Sequence, residues 1–258
     1  MARVFITGSS DGLGLAAARL LASEGHEVVG HARNERRASD LRQAAPAVAR
    51  VIAGDLSSAA QTRAVAREAN AIGRFDAVIH NAGVGYREPR KITTVDGHAQ
   101  VLAINVLAPY LLTALMARPA RLVYLSSGMH RGGTPSVEDL DWERRPWTGA
   151  QAYSDSKLYD ATLAAAVARR WPGVLSNAVE PGWVPTKMGG PGAPDDLAQA
   201  HVTQAWLAVS DDRRALVSGG YFYHRAPRAA APAVNSDSFQ DALLNELARL
   251  TGEKMPTA

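Results

Sequence analysis

Short segments rich in valine and isoleucine alternate along this chain with alanine- and leucine-rich segments of helical length. Strands that alternate with helices form a parallel sheet covered on both faces, because right-handed crossovers put helices on each side. We therefore predict an α/β fold with a doubly wound parallel sheet, in a single domain over residues 1–258. The predicted strands lie at 3–6, 28–29, 51–52, 78–79, 122–125 and 174–179, with helices at 13–23, 35–45 and 237–250 and a surface connection at 225–234.

Charge and composition exclude several classes of function. Basic residues number 28 and acidic residues 25, so no dense basic face predicts a nucleic-acid partner. The chain has no cysteine, and none of its seven histidines has metal-ligand spacing to another, so we expect no metal. The longest apolar run, 101–117, contains Asn105 and Pro109 and predicts a buried helix rather than a membrane span. We expect a cytoplasmic protein with no membrane partner.

The stretch "RVFITGSSDGLG", residues 3–14, fits two kinds of site. It contains the G-x-S-x-G pattern of a hydrolase nucleophile elbow, but Ser10 has only one strand before it to supply an oxyanion hole. A strand, a glycine turn and a helix N-terminus, in that order, instead predict a Rossmann-type loop that binds the pyrophosphate of a dinucleotide. A plain strand-to-helix turn is the alternative. The predicted ligands are Gly8, Ser10, Asp11, Gly12, Leu13 and Gly14.

The segment after the second strand, "VVGHARN", predicts which dinucleotide binds. NAD-specific proteins place an acid there for the ribose hydroxyl, whereas this chain has Ala32 followed by Arg33. A guanidinium can hold the 2′-phosphate of NADP by two charge-assisted hydrogen bonds. We therefore predict NADP(H) in preference to NAD(H), with Arg33 and Asn34 as ligands. Alternatively, Arg33 only begins a solvated basic run.

Tyr153 and Lys157 in "YSDSK" lie four residues apart and share one face of a predicted helix. A nearby ammonium stabilises phenolate, so we expect the tyrosine pKa to fall from its ordinary value of about 10. Such a phenol could exchange a proton with a substrate oxygen. The alternative is an ordinary helix surface with a half-buried tyrosine. Two serines, Ser126 and Ser127, end the strand before this helix.

Several motifs occur together in the order typical of one family. They are T-G-x-x-x-G-x-G at 7–14, N-A-G at 81–83, Y-x-x-x-K at 153–157 and P-G-x-V-x-T at 181–186. As a set they resemble the short-chain dehydrogenase/reductase family over residues 3–186. The long insert before Tyr153, with "SSGMH" and "YSDSKL", is most similar to the branch of retinol dehydrogenases and protochlorophyllide reductases.

The resemblance implies roles for further residues. It makes Ser127, Tyr153, Lys157 and Asn105 catalytic, Ser127 polarising the substrate oxygen and Lys157 also holding the nicotinamide ribose. Asn105 would organise a proton relay at a helix distortion, and Pro109 gives that distortion a cause because it frees the carbonyl of residue 105. Asp55 could instead cap the next helix. The further implied cofactor ligands are Asp55, Leu56, Asn81, Ala82, Gly83, Tyr153, Lys157, Pro181, Gly182, Val184 and Thr186.

The function implied is NADP(H)-dependent interconversion of a hydrophobic ketone or aldehyde and its alcohol, with Tyr153 as acid and base. A non-catalytic NADP(H)-binding regulator of the same fold is the alternative; an epimerase or a serine hydrolase fits the motifs less well. The family's usual packing of the tyrosine helix implies a homodimer, although some members of this branch are monomers. Candidate substrate contacts are Tyr86, Trp142, Trp147, Trp183 and Met188, with His98 and His130 as further possibilities.

Overall fold

One eight-stranded sheet forms the centre of the protein in a computed structural model, which describes residues 1–257. Its strands are β1 (Arg3–Ile6), β2 (Glu27–Ala32), β3 (Arg50–Ala53), β4 (Ala77–His80), β5 (Arg121–Leu125), β6 (Leu175–Val179), β7 (Tyr221–Tyr223) and β8 (Ala226–Pro227). They lie in the order β3-β2-β1-β4-β5-β6-β7-β8, and every pairing from β3 to β7 is parallel. The predicted doubly wound parallel sheet is confirmed.

The last strand departs from the predicted pattern. β8 pairs antiparallel with β7 and lies inside the segment that the sequence predicts to be a surface connection. His224 and Arg225 both have positive φ, 48° and 60°, which matches the twist of a tight hairpin turn. This turn lacks the glycine or asparagine that normally marks such a hairpin, so the sequence carries no signal for it.

Helices cover both faces of the sheet. Their bounds are α1 (Gly12–Ser23), α2 (Glu35–Ala44), α3 (Ala59–Ile72), α4 (Gln100–Leu102), α5 (Ala108–Leu115), α6 (Gly149–Arg170), α7 (Leu197–Ala200), α8 (Val202–Val209) and α9 (Asp237–Thr251). Val4 and Ile6 pack against α1 and α8, whereas Phe5 belongs to the core formed with α3, α5, α6 and α9. Alternate residues of a strand point to opposite faces, so β1 is buried on both sides. Within residues 1–257, no helix is both long and apolar enough to cross a membrane.

The predicted buried helix at 101–117 is interrupted by a wider turn. α4 runs into a π-helical turn, Ala103–Leu107, before α5 begins with Pro109 in its first turn. Proline lacks the N–H that a regular helix needs at this point, so the ladder of hydrogen bonds is displaced. The expected distortion therefore occurs at Asn105.

Candidate active site

The carboxyl ends of β1, β4, β5 and β6 open into a cavity of about 1080 Å³. Ligands of doubly wound sheets bind at this edge, where neighbouring crossovers diverge. The predicted site residues that line the cavity are Gly8, Asp11, Gly12, Leu13, Asn81, Ala82, Gly83, Ser127, Tyr153, Lys157, Pro181, Gly182, Val184 and Thr186. Those that do not line it are Ser10, Gly14, Arg33, Asn34, Asp55, Leu56 and Asn105.

The glycine turn between β1 and α1 brings two backbone segments unusually close. Gly8 has φ +64°, and a Cβ there would lie 2.8 Å from the Ala82 Cα atom. A Cβ on Gly14 would collide with the Gly8 carbonyl oxygen and the Asn81 amide. Only glycine fits these positions, because the turn needs a left-handed conformation at one and close backbone contact at both. The loop therefore leaves its backbone open to the cavity at the N-terminus of α1.

His31, near the carboxyl end of β2, contacts the side of this turn that faces away from the cavity. Its Nδ1 accepts a hydrogen bond from the Gly8 N–H at 3.1 Å, so its Nε2 donates to the Gly54 carbonyl at 2.8 Å. Burial lowers the pKa of His31 to about 4, which keeps the ring neutral and this tautomer in place. The sequence signal for this role is a polar residue within an apolar strand. No motif of the sequence analysis includes His31, so its contact with Gly8 is not among the predictions.

The N-A-G segment after β4 is tied to the same turn. The Asn81 amide donates to the carbonyls of Thr7 and Gly8 at 3.0 and 3.2 Å, and the Thr7 hydroxyl accepts from the N–H groups of Asn81 and Ala82. The Asn81 Oδ1 is buried and has no hydrogen-bond partner among residues 1–257. An unpartnered buried acceptor beside a cavity fits a ligand with hydroxyl donors. The residues present thus fit a ribose of the predicted dinucleotide.

The basic residues after β2 are arranged differently from the prediction. Arg33 is exposed, and Asn34 caps α2 by accepting a hydrogen bond from the Arg37 N–H at 3.0 Å. Arg37 lies against the glycine turn, and its guanidinium donates to the Ser10 carbonyl at 3.2 Å and to Asp11 at 3.3 Å. The sequence analysis predicts no contact for Arg37, which belongs to the basic run that begins at Arg33. Its spacing one helical turn after Asn34 was the available signal.

Asp55 and Leu56 lie after β3, away from the cavity lining. The Asp55 carboxylate accepts from the Ser57 N–H at 2.9 Å and shapes the turn, whereas Ser58 is the residue that caps α3. Asp55 is thus not the helix cap considered as its alternative role. Leu56 is buried in the core. The adenine contact that the resemblance implies for these residues stays a prediction.

Ser126 and Ser127 directly follow β5, beside the phenol and ammonium of α6. The Ser126 hydroxyl donates to the Lys157 carbonyl at 2.8 Å, so its proton is already used. The Ser127 hydroxyl accepts from the Met129 N–H at 3.2 Å, and its own proton remains free to be donated. Of the two serines, Ser127 is the one able to donate to a substrate oxygen.

Tyr153 and Lys157 are both buried on α6, with 6% and 4% of their surfaces exposed. The Lys157 Nζ lies 5.8 Å from the centre of the Tyr153 ring and donates to the Leu125 carbonyl at 2.7 Å. Burial raises the pKa of Tyr153. The Lys157 ammonium and the Ser127 hydroxyl act to lower the same pKa, but burial has the larger effect. The expected fall below 10 is therefore wrong, because burial disfavours phenolate. Tyr153 is accordingly a neutral phenol and a proton donor.

Asn105 lies one layer behind the cavity, in the π-helical turn. Its Oδ1 accepts from the Val84 N–H at 2.9 Å, and its amide donates to the Val84 carbonyl at 3.1 Å and to the Ser156 hydroxyl at 3.0 Å. A Cβ on Gly83 would lie 3.4 Å from the Asn105 Oδ1 and 3.7 Å from the Lys157 Nζ. Asn105 is thus close to Lys157 but fully occupied by the backbone and by Ser156.

The aromatic residues divide into two groups. Tyr86, Trp183 and Met188 line the cavity, and the Tyr86 ring meets that of Tyr153 edge to face at 5.7 Å. Trp142 and Trp147 instead pack on each other at 5.5 Å, outside the cavity lining. The insert before α6 therefore uses its tryptophans for packing rather than for the cavity.

Neither predicted histidine lines the cavity. His130 is buried and donates from Nδ1 to the Ser127 carbonyl at 2.7 Å, while its Nε2 accepts from the Ala231 N–H at 3.0 Å. It therefore supports the backbone of Ser127. His98 pairs with Asp141 at 2.7 Å.

Comparisons with known proteins agree with the motifs. The family model for the short chain dehydrogenase matches residues 2–196. An uncharacterized oxidoreductase of Emericella nidulans is 44% identical over 260 residues, which cover 99% of each chain. Retinol dehydrogenase 13 of Mus musculus is 31% identical over 98% of this chain and 84% of its own. A crystal structure of an uncharacterized protein from Mycobacterium paratuberculosis is similar with a TM-score of 0.84 and 26% identity, over 99% of this chain and 95% of that chain.

Proposed function

Because the chain belongs to the short-chain dehydrogenase family, we propose that this oxidoreductase uses NADP(H) to interconvert a hydrophobic ketone or aldehyde and its alcohol, with Tyr153 as acid and base. The observation that carries the proposal is the convergence of Ser127, Tyr153 and Lys157 on one cavity with the glycine turn. A regulator that binds the cofactor without turnover would not need a buried phenol beside an ammonium and a free serine hydroxyl.

The cofactor fits the groups that surround the cavity. The backbone of Gly8 to Leu13 at the α1 N-terminus would hold the pyrophosphate, and Asn81 and Lys157 would hold ribose hydroxyls. The segment from Pro181 to Thr186 would contact the carboxamide. When bound, the nicotinamide supplies or accepts the hydride.

The protein's own part in the reaction is proton transfer and positioning. The Ser127 hydroxyl would donate a hydrogen bond to the substrate carbonyl and polarise it. Tyr153, as a neutral phenol, would give its proton to that oxygen in the direction of reduction and take it back in oxidation. The Lys157 ammonium would stabilise the resulting phenolate, a charge that burial otherwise makes costly.

Two arginines support the preference for NADP(H). Ala32 leaves no carboxylate at the end of β2 to repel a 2′-phosphate. Arg37, in the first turn of α2, is half-buried against the glycine turn, and exposed Arg33 directly follows β2. Guanidinium groups that hold a 2′-phosphate would favour NADPH over NADH.

Apolar side chains at the cavity mouth support a hydrophobic carbonyl substrate. Tyr86 and Met188 line the wall next to Tyr153, and Trp183 has 53% of its surface exposed at the cavity. An exposed indole beside a cavity offers a large flat apolar surface to a ligand. These contacts select for apolar substituents on the carbonyl without selecting one compound.

The proposal is tested by titrating the protein's fluorescence with NADPH and NADH, followed by steady-state NADPH oxidation with a panel of apolar ketones and aldehydes. We expect tighter NADPH binding and turnover of some panel members. Binding of NADPH without turnover of any carbonyl or alcohol would favour the regulator. Failure of both dinucleotides to bind would refute the assignment.

We also propose a homodimer in a cytoplasmic setting, as the resemblance to the family implies. The outer side of α6 is covered by α9 and by the 3₁₀ turn Gly128–Gly132, and its residues from Ala152 to Ala164 are buried within one chain. A dimer would therefore use less of this helix than is usual in the family. Light scattering should give about twice the chain mass of 27.4 kDa; the mass of one chain would refute the dimer.

A further inference from the structure

Asp160 is a buried carboxylate that follows Lys157 by three residues on α6. Tyr153, Lys157 and Asp160 occupy positions i, i+4 and i+7, which form one stripe along a helix. Only 3% of the Asp160 surface is exposed. No motif of the family resemblance includes this residue, and the proton transfer described above does not use it.

The contact between Asp160 and Lys157 is direct. The Lys157 Nζ donates to the Asp160 Oδ2 at 2.7 Å, while a second donor of the same ammonium is taken by the Leu125 carbonyl at 2.7 Å. An ammonium has three donors, so one remains for a ligand or for the phenol. The Asp160 Oδ1 is buried and has no partner among residues 1–257. This carboxylate thus has one strong interaction, and it is with the ammonium.

Other groups around the pair carry no opposing charge. Tyr124 reaches it from β5, with its hydroxyl bonded to Thr113, and His80 from β4 stacks on Tyr124 at 4.7 Å. Burial lowers the pKa of His80 to about 3 and raises that of Tyr124, so both are neutral.

The remaining elements that pack on α6 carry charged side chains that pair with residues other than Lys157 and Asp160. Arg131 of the 3₁₀ turn pairs with Glu180, and Asp237 and Asp241 of α9 pair with Arg169 and Arg170. From the loop after β4, the Tyr86 phenol faces Tyr153.

We propose that Asp160 is a positioning residue for the reaction: its carboxylate anchors the Lys157 ammonium under the cavity and offsets the ammonium's charge at Tyr153. The inference rests on the proposed acid–base role of Tyr153. Its physical basis is that two opposite charges in contact act on a third group as a dipole, whose effect is much weaker than that of the ammonium alone.

The consequence is that Tyr153 holds its proton more firmly than a phenol next to a lone ammonium would. Burial raises the pKa of Asp160 to about 6 against the opposing effect of Lys157, so the carboxylate is ionised at neutral and alkaline pH. Burial acts to lower the pKa of Lys157, but Asp160 and Tyr153 together raise it, so the amine stays charged. Asp160 also contributes to the raised pKa of Tyr153.

The test compares wild type with Asp160→Asn, which keeps the size and an acceptor oxygen but removes the charge. The ionisation of Tyr153 is followed by NMR of protein carrying ¹³C-labelled tyrosine rings, with Tyr153→Phe used to assign the signal. The pH dependence of alcohol oxidation by NADP⁺ is measured in parallel. Asp155→Asn is the matched control, since Asp155 is an equally buried carboxylate on α6 that pairs with Arg145 instead.

We expect Asp160→Asn to lower the Tyr153 midpoint and the midpoint of the oxidation profile by about one pH unit, with Asp155→Asn leaving both in place. A change in rate without a change in either midpoint would assign Asp160 a merely structural role and overturn the proposal. If Asp160→Asn fails to fold, Asp160→Ser, which also removes the charge, takes its place with Asp155→Ser as its control, and an unchanged Tyr153 midpoint in Asp160→Ser overturns the proposal. Wild type without turnover would refute the proposed function, while the NMR comparison would still test Asp160.

Discussion

Tyr153 is the residue on which the proposed chemistry depends, and its environment contains opposing effects. Its burial disfavours phenolate, and the Lys157 ammonium favours it. The balance of these effects keeps the Tyr153 side chain a neutral phenol, which is the form required to protonate a carbonyl oxygen. The chemistry therefore depends on a group whose ionisation is controlled by neighbours rather than by its own acidity.

Replacement of Tyr153 by phenylalanine removes the proton donor while keeping the ring that packs against Tyr86. We expect turnover to fall by roughly 10²-fold to 10⁴-fold, with NADPH affinity nearly unchanged. Steady-state NADPH oxidation and fluorescence titration measure the two effects. Tyr159→Phe is the control, because that buried tyrosine of α6 bonds to the Ser136 carbonyl outside the cavity. Loss of cofactor binding with full turnover per bound cofactor would contradict the assigned role.

The second prediction concerns the choice of dinucleotide. Arg33→Ala and Arg37→Ala should each weaken NADPH binding by roughly tenfold to a hundredfold, because each removes charge-assisted hydrogen bonds to the 2′-phosphate. NADH, which lacks that phosphate, should be affected less than about threefold. Calorimetric titration with both dinucleotides measures the difference. Arg36→Ala is the control, since Arg36 is exposed on the same helix, and equal losses for the two dinucleotides would rule out the phosphate contact.

At the scale of elements, the helix formed by α4, the π-helical turn and α5 connects the N-A-G loop after β4 to α6. The wider turn brings Asn105 to the backbone of Val84 on one side and to Ser156 of α6 on the other. A regular helix would rotate this amide away from one of these partners. The distortion therefore holds the N-A-G loop and α6 in a fixed relation, and both contribute residues to the cavity.

Asn105→Leu tests this structural connection. Leucine would leave the N–H and the carbonyl of half-buried Val84 without their present partners, at up to roughly 1–3 kcal/mol for each group. We expect the free energy of unfolding in urea to fall by about 2–4 kcal/mol. Ser156→Ala, which removes only one of the three hydrogen bonds, should cost about 1 kcal/mol. Equal small losses in both variants would show that the amide does not hold the two elements together.

At the scale of the whole molecule, the sheet holds buried polar groups that burial keeps neutral. His31 lies in β2 and His80 in β4, and burial lowers the pKa of His31 to about 4 and that of His80 to about 3. Both depressed values lie well below the ordinary histidine pKa of about 6.5. The stability of the fold is therefore linked to pH through its core.

The sign of this dependence follows from proton uptake. Between about pH 6.5 and pH 4 the unfolded chain binds protons at these histidines and the folded chain does not, so stability is complete above 6.5 and falls on acidification. Each histidine contributes a slope of up to about 1.4 kcal/mol per pH unit. Urea unfolding at pH 7.5, 6.0 and 5.0 measures it. His80→Phe should reduce the slope, and identical slopes in variant and wild type would contradict the prediction.

Local sequence information was sufficient for the fold class, the family and the main cavity residues. Short apolar runs such as Val4, Phe5 and Ile6 and their regular alternation with segments of helical length specify a doubly wound sheet. The spacing from Gly8 to Gly14 specifies a turn at the start of α1, and the four-residue interval from Tyr153 to Lys157 puts both on one helix face. These features are readable because each depends only on residues close together in the chain.

Only the tertiary structure decided which distant segments meet. It brought Arg37 rather than Arg33 against the glycine turn, His31 against Gly8 and Gly54, and Trp142 against Trp147 instead of the cavity. It also decided that burial outweighs the ammonium at Tyr153 and that the contact between Lys157 and Asp160 is buried. Burial and electrostatic balance depend on all the elements that pack around a group, and a sequence pattern records only the element to which that group belongs.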